Sequence, residues 1–175
     1  MYLETERLVI RSINLADENA YIKMASDGSL DKDIFYGRSR EYHEWMNRWI
    51  KEAIEAERKD NIKEWMAYTI EEKKRGIPIG SLGCTYYEDL EQTGLVYFIG
   101  AEYRGNGYAA EAVVAYVKYF IERYNESKII VNIRAENKPS CRTAEKAGFL
   151  LGETKMYKDF SDDEAILYNF YERRK

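Results

Sequence analysis

Tyr97-Phe98-Ile99-Gly100-Ala101-Glu102-Tyr103-Arg104-Gly105-Asn106-Gly107-Tyr108-Ala109-Ala110-Glu111-Ala112 is the stretch on which the fold turns. Its first residues are aromatic and apolar and read as the end of a strand. Its last residues open a run from Gly107 to Tyr124 in which Ala110, Val113, Val114, Val117, Phe120 and Ile121 recur at helical spacing. Between the two lies a glycine turn. There the backbone N–H groups of Gly105, Asn106, Gly107, Tyr108 and Ala109 can converge on an anion, reinforced by the positive end of the helix. A side chain at Gly105 or Gly107 would block close approach, and Arg104 adds a fixed positive charge. A pyrophosphate suits such a cradle.

Working outward, Leu95 to Ile99 is the strand that enters the cradle after the turn signal Thr93-Gly94, and Lys128 to Ile133 is the strand that follows the helix. A strand, helix, strand order implies a right-handed crossover between parallel neighbours. Upstream, Glu64 to Glu72 and Ile77 to Tyr87 read as strands joined at Lys73-Lys74-Arg75-Gly76, which makes this centre antiparallel. Thr5 to Ile13 is a first strand, and Asn14 with Asp17 has the spacing of a helix cap. Between about Arg40 and Lys59 the residues Tyr42, Trp45, Met46, Trp49, Ile50, Ala53 and Ile54 form one buried stripe. Downstream, Pro139 begins a short helix ending near Gly148, and two strands follow at about Phe149 to Tyr157 and Ala165 to Tyr171. The pattern is an α/β domain over residues 1–175 with a mixed, mostly antiparallel sheet.

Composition narrows the chemistry. With 27 Lys and Arg against 31 Asp and Glu the net charge is -4, which argues against binding nucleic-acid phosphates broadly. Cys84 and Cys141 form no Cys-x-x-Cys pair and His43 is the sole histidine, so neither a disulfide framework nor a metal site is expected. A reducing cytoplasm and no membrane partner follow, since no window approaches the ~20 apolar residues of a membrane span. Gly105, Gly107 and Ala110 also fit the dinucleotide fingerprint Gly-x-Gly-x-x-Gly/Ala. Ala101 to Gly105 separate strand from helix, however, and no acidic residue closes a second parallel strand ~20 residues on, which disfavours a nicotinamide site.

Arg104, Gly107 and Ala109 fill an Arg/Gln-x-x-Gly-x-Gly/Ala pattern. Further on, Asn137-Lys138-Pro139-Ser140-Cys141-Arg142-Thr143-Ala144-Glu145-Lys146-Ala147-Gly148-Phe149 contains an Asn-x-x-Ser and a Glu-Lys-x-Gly-Phe element. At this separation the two resemble the motifs of the GNAT superfamily of N-acetyltransferases. The opening Leu3-Glu4-Thr5-Glu6-Arg7-Leu8 is similar to the start of its RimJ/RimL-like branch, which acetylates ribosomal-protein N-termini.

The resemblance implies a six- to seven-stranded sheet with helices on both faces. Its two central parallel strands splay apart, and the pantetheine arm of acetyl-CoA enters the gap as an added strand. Phe98, Ile99 and Gly100 would offer backbone groups to that arm, with Gly100 permitting a bulge. Acetyl-CoA is then the co-substrate, with no metal, and the partner is an amine acceptor such as a protein N-terminus. A polyamine or aminoglycoside acceptor, and a non-catalytic acyl-CoA sensor, stay open, as does a homodimer.

For chemistry, an amine attacks the thioester and a backbone N–H near Ile99 or Gly100 stabilises the oxyanion. Many family members protonate the thiolate with a tyrosine at the position of Ala144. In its absence the resemblance assigns Ser140, whose competing role is to cap the short helix. It also gives Asn137 to pantetheine and Asp159 to the general base. Cys141 is expected to be a packed side chain and no nucleophile. His43 is expected in a packing role on the second helix, and Glu88, Asp89 and Glu91 in a solvated turn.

Overall fold

The computed structural model describes residues 1–30, 42–159 and 162–175, with side chains from residue 45 onward in the second helix. Eight strands form one sheet in the order β1-β2-β3-β4-β5-β6-β8-β7. They are β1 (Tyr2–Glu4), β2 (Leu8–Ser12), β3 (Trp65–Glu72), β4 (Ile77–Tyr87), β5 (Gln92–Ile99), β6 (Lys128–Arg134), β7 (Leu150–Tyr157) and β8 (Ile166–Arg174). The helices are α1 (Glu18–Ala25), α2 (Tyr42–Lys59), α3 (Tyr108–Tyr124) and α4 (Lys138–Lys146). All strand pairs are antiparallel except β5 with β6, as expected.

The sheet exceeds the expected six or seven strands because β1 is separate. Tyr2 to Glu4 pairs with Arg11 to Val9 across a turn closed by the Thr5 N–H to the Leu8 carbonyl at 3.0 Å. Three residues are too few for a period to show. Thr93-Gly94 likewise lies inside β5, and the turn falls at residues 88–91, where Glu91 takes φ 50°. Gly94 is required there by packing, since a Cβ would lie 2.4 Å from the Tyr87 ring.

Two cores lie on opposite faces. Under α3 and α4, Val113, Tyr116, Val117, Phe120 and Ile121 meet Leu8, Ile10, Ile70, Leu95, Ile99, Ile129 and Val131. Val114, assigned to this face by spacing, is 41% exposed, because it falls a hundred degrees round the helix from Val113. On the other face Met46, Ile50 and Ala53 of α2 pack with Tyr21, Met24 and Phe98. Trp45 stacks on Trp49 and Trp49 on Trp65, each pair inclined by 18°. The cap at Asn14 is present, but it starts a 3-10 turn ahead of α1. Its partner Asp17 is buried and takes a bidentate ion pair from Arg11, at 2.7 and 2.8 Å, and a hydrogen bond from Thr69 Oγ1 at 2.8 Å. The side chain of His43 and the start of the second helix near Arg40 lie outside the described residues.

Candidate active site

The parallel junction is held by a single residue pair, Gly94 with Ile130, and past it toward their C-terminal ends β5 and β6 share no further pair. On its other edge β5 is paired with β4 along its whole length. The Gly100 N–H donates to the Ile79 carbonyl at 2.9 Å, which fixes the phase of that ladder. By antiparallel alternation Phe98 and Gly100 turn their backbone groups to β4, and Ile99 turns its own toward the opening. Of the three residues expected to meet the pantetheine arm, only Ile99 therefore turns its backbone toward the opening, and its carbonyl is already taken by Arg104 Nε at 2.9 Å. Nor does Gly100 form a bulge, since the register is unbroken. It makes room for Met24, whose Cγ would stand 2.6 Å from a Cβ.

Beyond Gly100 a 3-10 turn, Ala101–Tyr103, leads to the cradle. Gly105 and Gly107 take φ of 80° and 78°, the left-handed region that side chains disfavour. A Cβ on Gly105 would meet no atom within 4 Å, so the concavity is open on its outer side. Gly107 caps α3 without a side chain, and the first helical bond is Glu111 N–H to the Gly107 carbonyl at 3.2 Å. The N–H groups of Tyr108 and Ala109 precede that bond and have no partner within the helix. Asn106 holds the loop in shape, donating Nδ2 to the Tyr103 carbonyl at 3.0 Å. Arg104 is drawn back across it, giving Nε to the Ile99 carbonyl at 2.9 Å and Nη2 to Ser29 Oγ at 3.0 Å.

A second cation stands here that the sequence reading did not assign. Arg7 donates Nη1 to the Asn106 carbonyl at 2.9 Å, pairs with Glu111 at 2.7 Å and lies 4.8 Å over the Tyr108 ring. Burial raises the Glu111 carboxyl, but hydrogen bonds from Thr5 and Arg7 outweigh it and hold the group below its ordinary range. Only the distance in sequence hid Arg7: it sits within the Leu3 to Leu8 stretch already noted.

The structure corrects the cap of α4. Asn137 is the N-cap, its Oδ1 accepting from the Ser140 N–H at 3.2 Å, and Pro139 lies in the first turn. Ser140 is thus inside the helix and its hydroxyl is not the cap. Facing it from β5, Tyr97 donates its phenol to the Ser140 carbonyl at 3.0 Å. Burial raises the Tyr97 phenol well above its usual range and keeps it protonated. Cys141 is buried, with Sγ accepting from Asn169 Nδ2 at 3.4 Å. Asp159 follows β7 and is half-buried. Its N–H donates to Asp162 Oδ2 at 3.2 Å, and Asp162 pairs with the buried Arg134 at 2.6 Å and accepts from the Tyr168 phenol at 2.8 Å. Arg134 ends β6, and α4 follows it. Ile99, Ser140 and Asp159 are accordingly brought to one end of the sheet, around the opening. Of the acidic turn, Asp89 accepts from the Tyr157 phenol at 3.3 Å.

Residues 7–150 match the acetyltransferase (GNAT) domain family. The chain belongs to this family. It is an acyltransferase, and the GNAT motifs read from the sequence fall on the cradle and on α4. It is similar to an uncharacterized N-acetyltransferase of Bacillus subtilis, YnaD, at 26% identity over 85% of this chain and 82% of that one. Its fold is similar to that of a GNAT-family acetyltransferase from Bacillus anthracis, with a TM-score of 0.83 and 22% identity over 99% of this chain and 98% of the other. A RimL ribosomal L7/L12 alpha-N-protein acetyltransferase, solved with coenzyme A, superposes with a TM-score of 0.83 at 13% identity, over 99% and 98% of the two chains. Among the described residues no helix is long and apolar enough to cross a membrane.

Proposed function

We propose that this GNAT protein transfers acetyl from acetyl-CoA to the α-amino group of a protein N-terminus, by direct attack with both substrates bound. The observation that carries the reading is the one-pair junction of β5 and β6, with the Ile99 N–H turned into it and the glycine cradle at its mouth. The chain's residues fit coenzyme A. Backbone N–H groups from Gly105 to Ala109 would receive the phosphates at the start of α3, and Arg7 and Arg104 stand beside that turn with charge for a pyrophosphate. In the gap, the edge of β5 left unpaired by β6 is where an extended pantetheine arm would add as a strand.

Transfer then rests mainly on positioning, which can supply ~7 kcal/mol or more. The Ile99 N–H is the oxyanion donor, Gly100 having given its own to Ile79. Ser140 hydrogen-bonds the departing thiolate, and Asp159 takes the amine proton. An α-amino group titrates near ~8 against ~10.4 for lysine, so an N-terminal acceptor asks less of that base. The setting is the cytoplasm, where Cys84 and Cys141, both free, stay reduced.

Coenzyme A at a hundred times its dissociation constant is expected to stabilise the protein by ~2.7 kcal/mol in thermal melts. Thiol release from acetyl-CoA is expected with N-terminal peptides ahead of polyamines and aminoglycosides. A melt that ignores coenzyme A and responds to a nicotinamide cofactor defeats the proposal; binding without turnover over the whole panel makes the protein an acyl-CoA sensor.

A further inference from the structure

Asn132 lies in the middle of β6, paired with Phe170 of β8. Its neighbours Ile129, Val131 and Ile133 point into the core beneath α3 and α4. Strand alternation therefore puts Asn132 on the opposite face. The cluster under α1 and α2 on that face contains no residue of β6, β7 or β8. Phe170 stands across from Asn132, and aromatic rings continue on that face beside the buried Arg134. Tyr157 meets Phe170 edge-on at 5.3 Å and Tyr168 edge-on at 5.6 Å. The Asp159 carboxylate is near enough to add to the rise that burial imposes on the phenols of Tyr157 and Tyr168. On the other side is the edge toward β5, where no residue pair follows Gly94 with Ile130, and Val96, two residues along β5, is 39% exposed.

Both polar atoms of the Asn132 side chain, Nδ2 and Oδ1, are buried and have no hydrogen-bond partner. Buried polar groups are almost always paired, so two orphans on one side chain beside an open strand edge point to a partner from outside. We infer that Asn132 reads the backbone of the acceptor, and that the acceptor is an extended peptide whose second residue gives Asn132 both its N–H and its carbonyl. In an extended chain those two groups leave one residue on the same side, as they do where antiparallel strands exchange a pair of bonds. A side-chain amide, with one acceptor oxygen and donor hydrogens in one plane, is their complement. A polyamine carries donors only and leaves Nδ2 unanswered; sugar hydroxyls rotate and present no fixed pair. With the second residue held there, the peptide's amine lies toward Asp159 and the opening. The inference rests on the transferase reading above and narrows its acceptor to peptides.

The test uses the full chain loaded with coenzyme A, titrated calorimetrically with Ser-Ala-Ala and Ala-Ala-Ala amides. It is repeated with depsipeptides in which an ester replaces the first peptide bond, and with spermidine. Loss of one buried bond is expected to make the ester bind about tenfold more weakly than the amide. In Asn132→Leu, which removes the orphan atoms without opening a cavity, the amide and ester bind alike. KM for the amide in thiol release rises about tenfold, while coenzyme A affinity and Tm are kept. Equal affinity of amide and ester for the wild-type protein overturns the inference, and needs no variant to fold. Spermidine binding tighter than either peptide, or an amide preference that survives in Asn132→Leu, overturns it too. Amide-selective binding with no thiol release upholds Asn132 as the reader and defeats the transferase reading.

Discussion

Strand β5 has two neighbours and meets them in opposite ways. Toward β4 it is paired at eight positions, from Gly80 with Ile99 to Tyr87 with Gln92. Toward β6 it is paired at one. Glycine serves both sides, for different reasons. On the closed side a Cβ at Gly80 would fall 2.2 Å from the Phe98 carbonyl oxygen, so the missing side chain lets the backbones of β4 and β5 meet. On the open side a Cβ at Gly105 would touch nothing, and there the glycine supplies a left-handed turn, which is where we propose the phosphates of coenzyme A sit. One residue type thus serves close packing on one edge and backbone conformation on the other.

Substitutions can break that division. The largest effect is expected from Gly80→Val, which forces β4 from β5 and should cost ~3 kcal/mol in a denaturant titration. A loss under ~1 kcal/mol would show that the closed edge is looser than its geometry. Gly107→Val should cost ~1–2 kcal/mol of stability for a left-handed β-branched residue. It should also abolish the stabilisation by coenzyme A, so that melts with and without the ligand coincide. If the ligand shift survives, the cradle is not where the phosphates sit. Ser140→Ala sharpens the comparison within the open side. Because Asn137 is the cap, Tm should hold, while turnover at saturating substrates falls by up to about a hundredfold if the hydroxyl meets the thiolate. An unchanged maximal rate would remove Ser140 from the chemistry.

What the sequence made legible was whatever is written in consecutive residues. The cradle from Arg104 to Ala109, the crossover through α3, and the Asn137 to Phe149 segment all stand where spacing put them. What escaped depends on partners far along the chain. Arg7 reaches Asn106 and Glu111 only because β2 and α3 pack together. The direction of the Ile99 backbone depends on a hydrogen bond from Gly100 to Ile79, which no local pattern encodes. Ser140 suits a cap by residue type, but the helix already starts at Lys138, and Asn137 takes the role. Asn132 gave no signal, since a polar residue among apolar ones in a strand reads only as alternation.

The strand order follows the chain as far as β6, and this bears on how the protein is made. Strands β3, β4 and β5 are joined by the short turns 73–76 and 88–91, so their loops close at small entropic cost as soon as they leave the ribosome. β6 must wait until the whole of α3 has been synthesised. Until then the far edge of β5 is a bare row of amides and carbonyls, the kind of edge on which nascent chains mispair. When β6 does arrive it covers that edge at Gly94 alone. The edge that we propose takes the pantetheine arm in the finished enzyme is thus also the one left bare longest during synthesis.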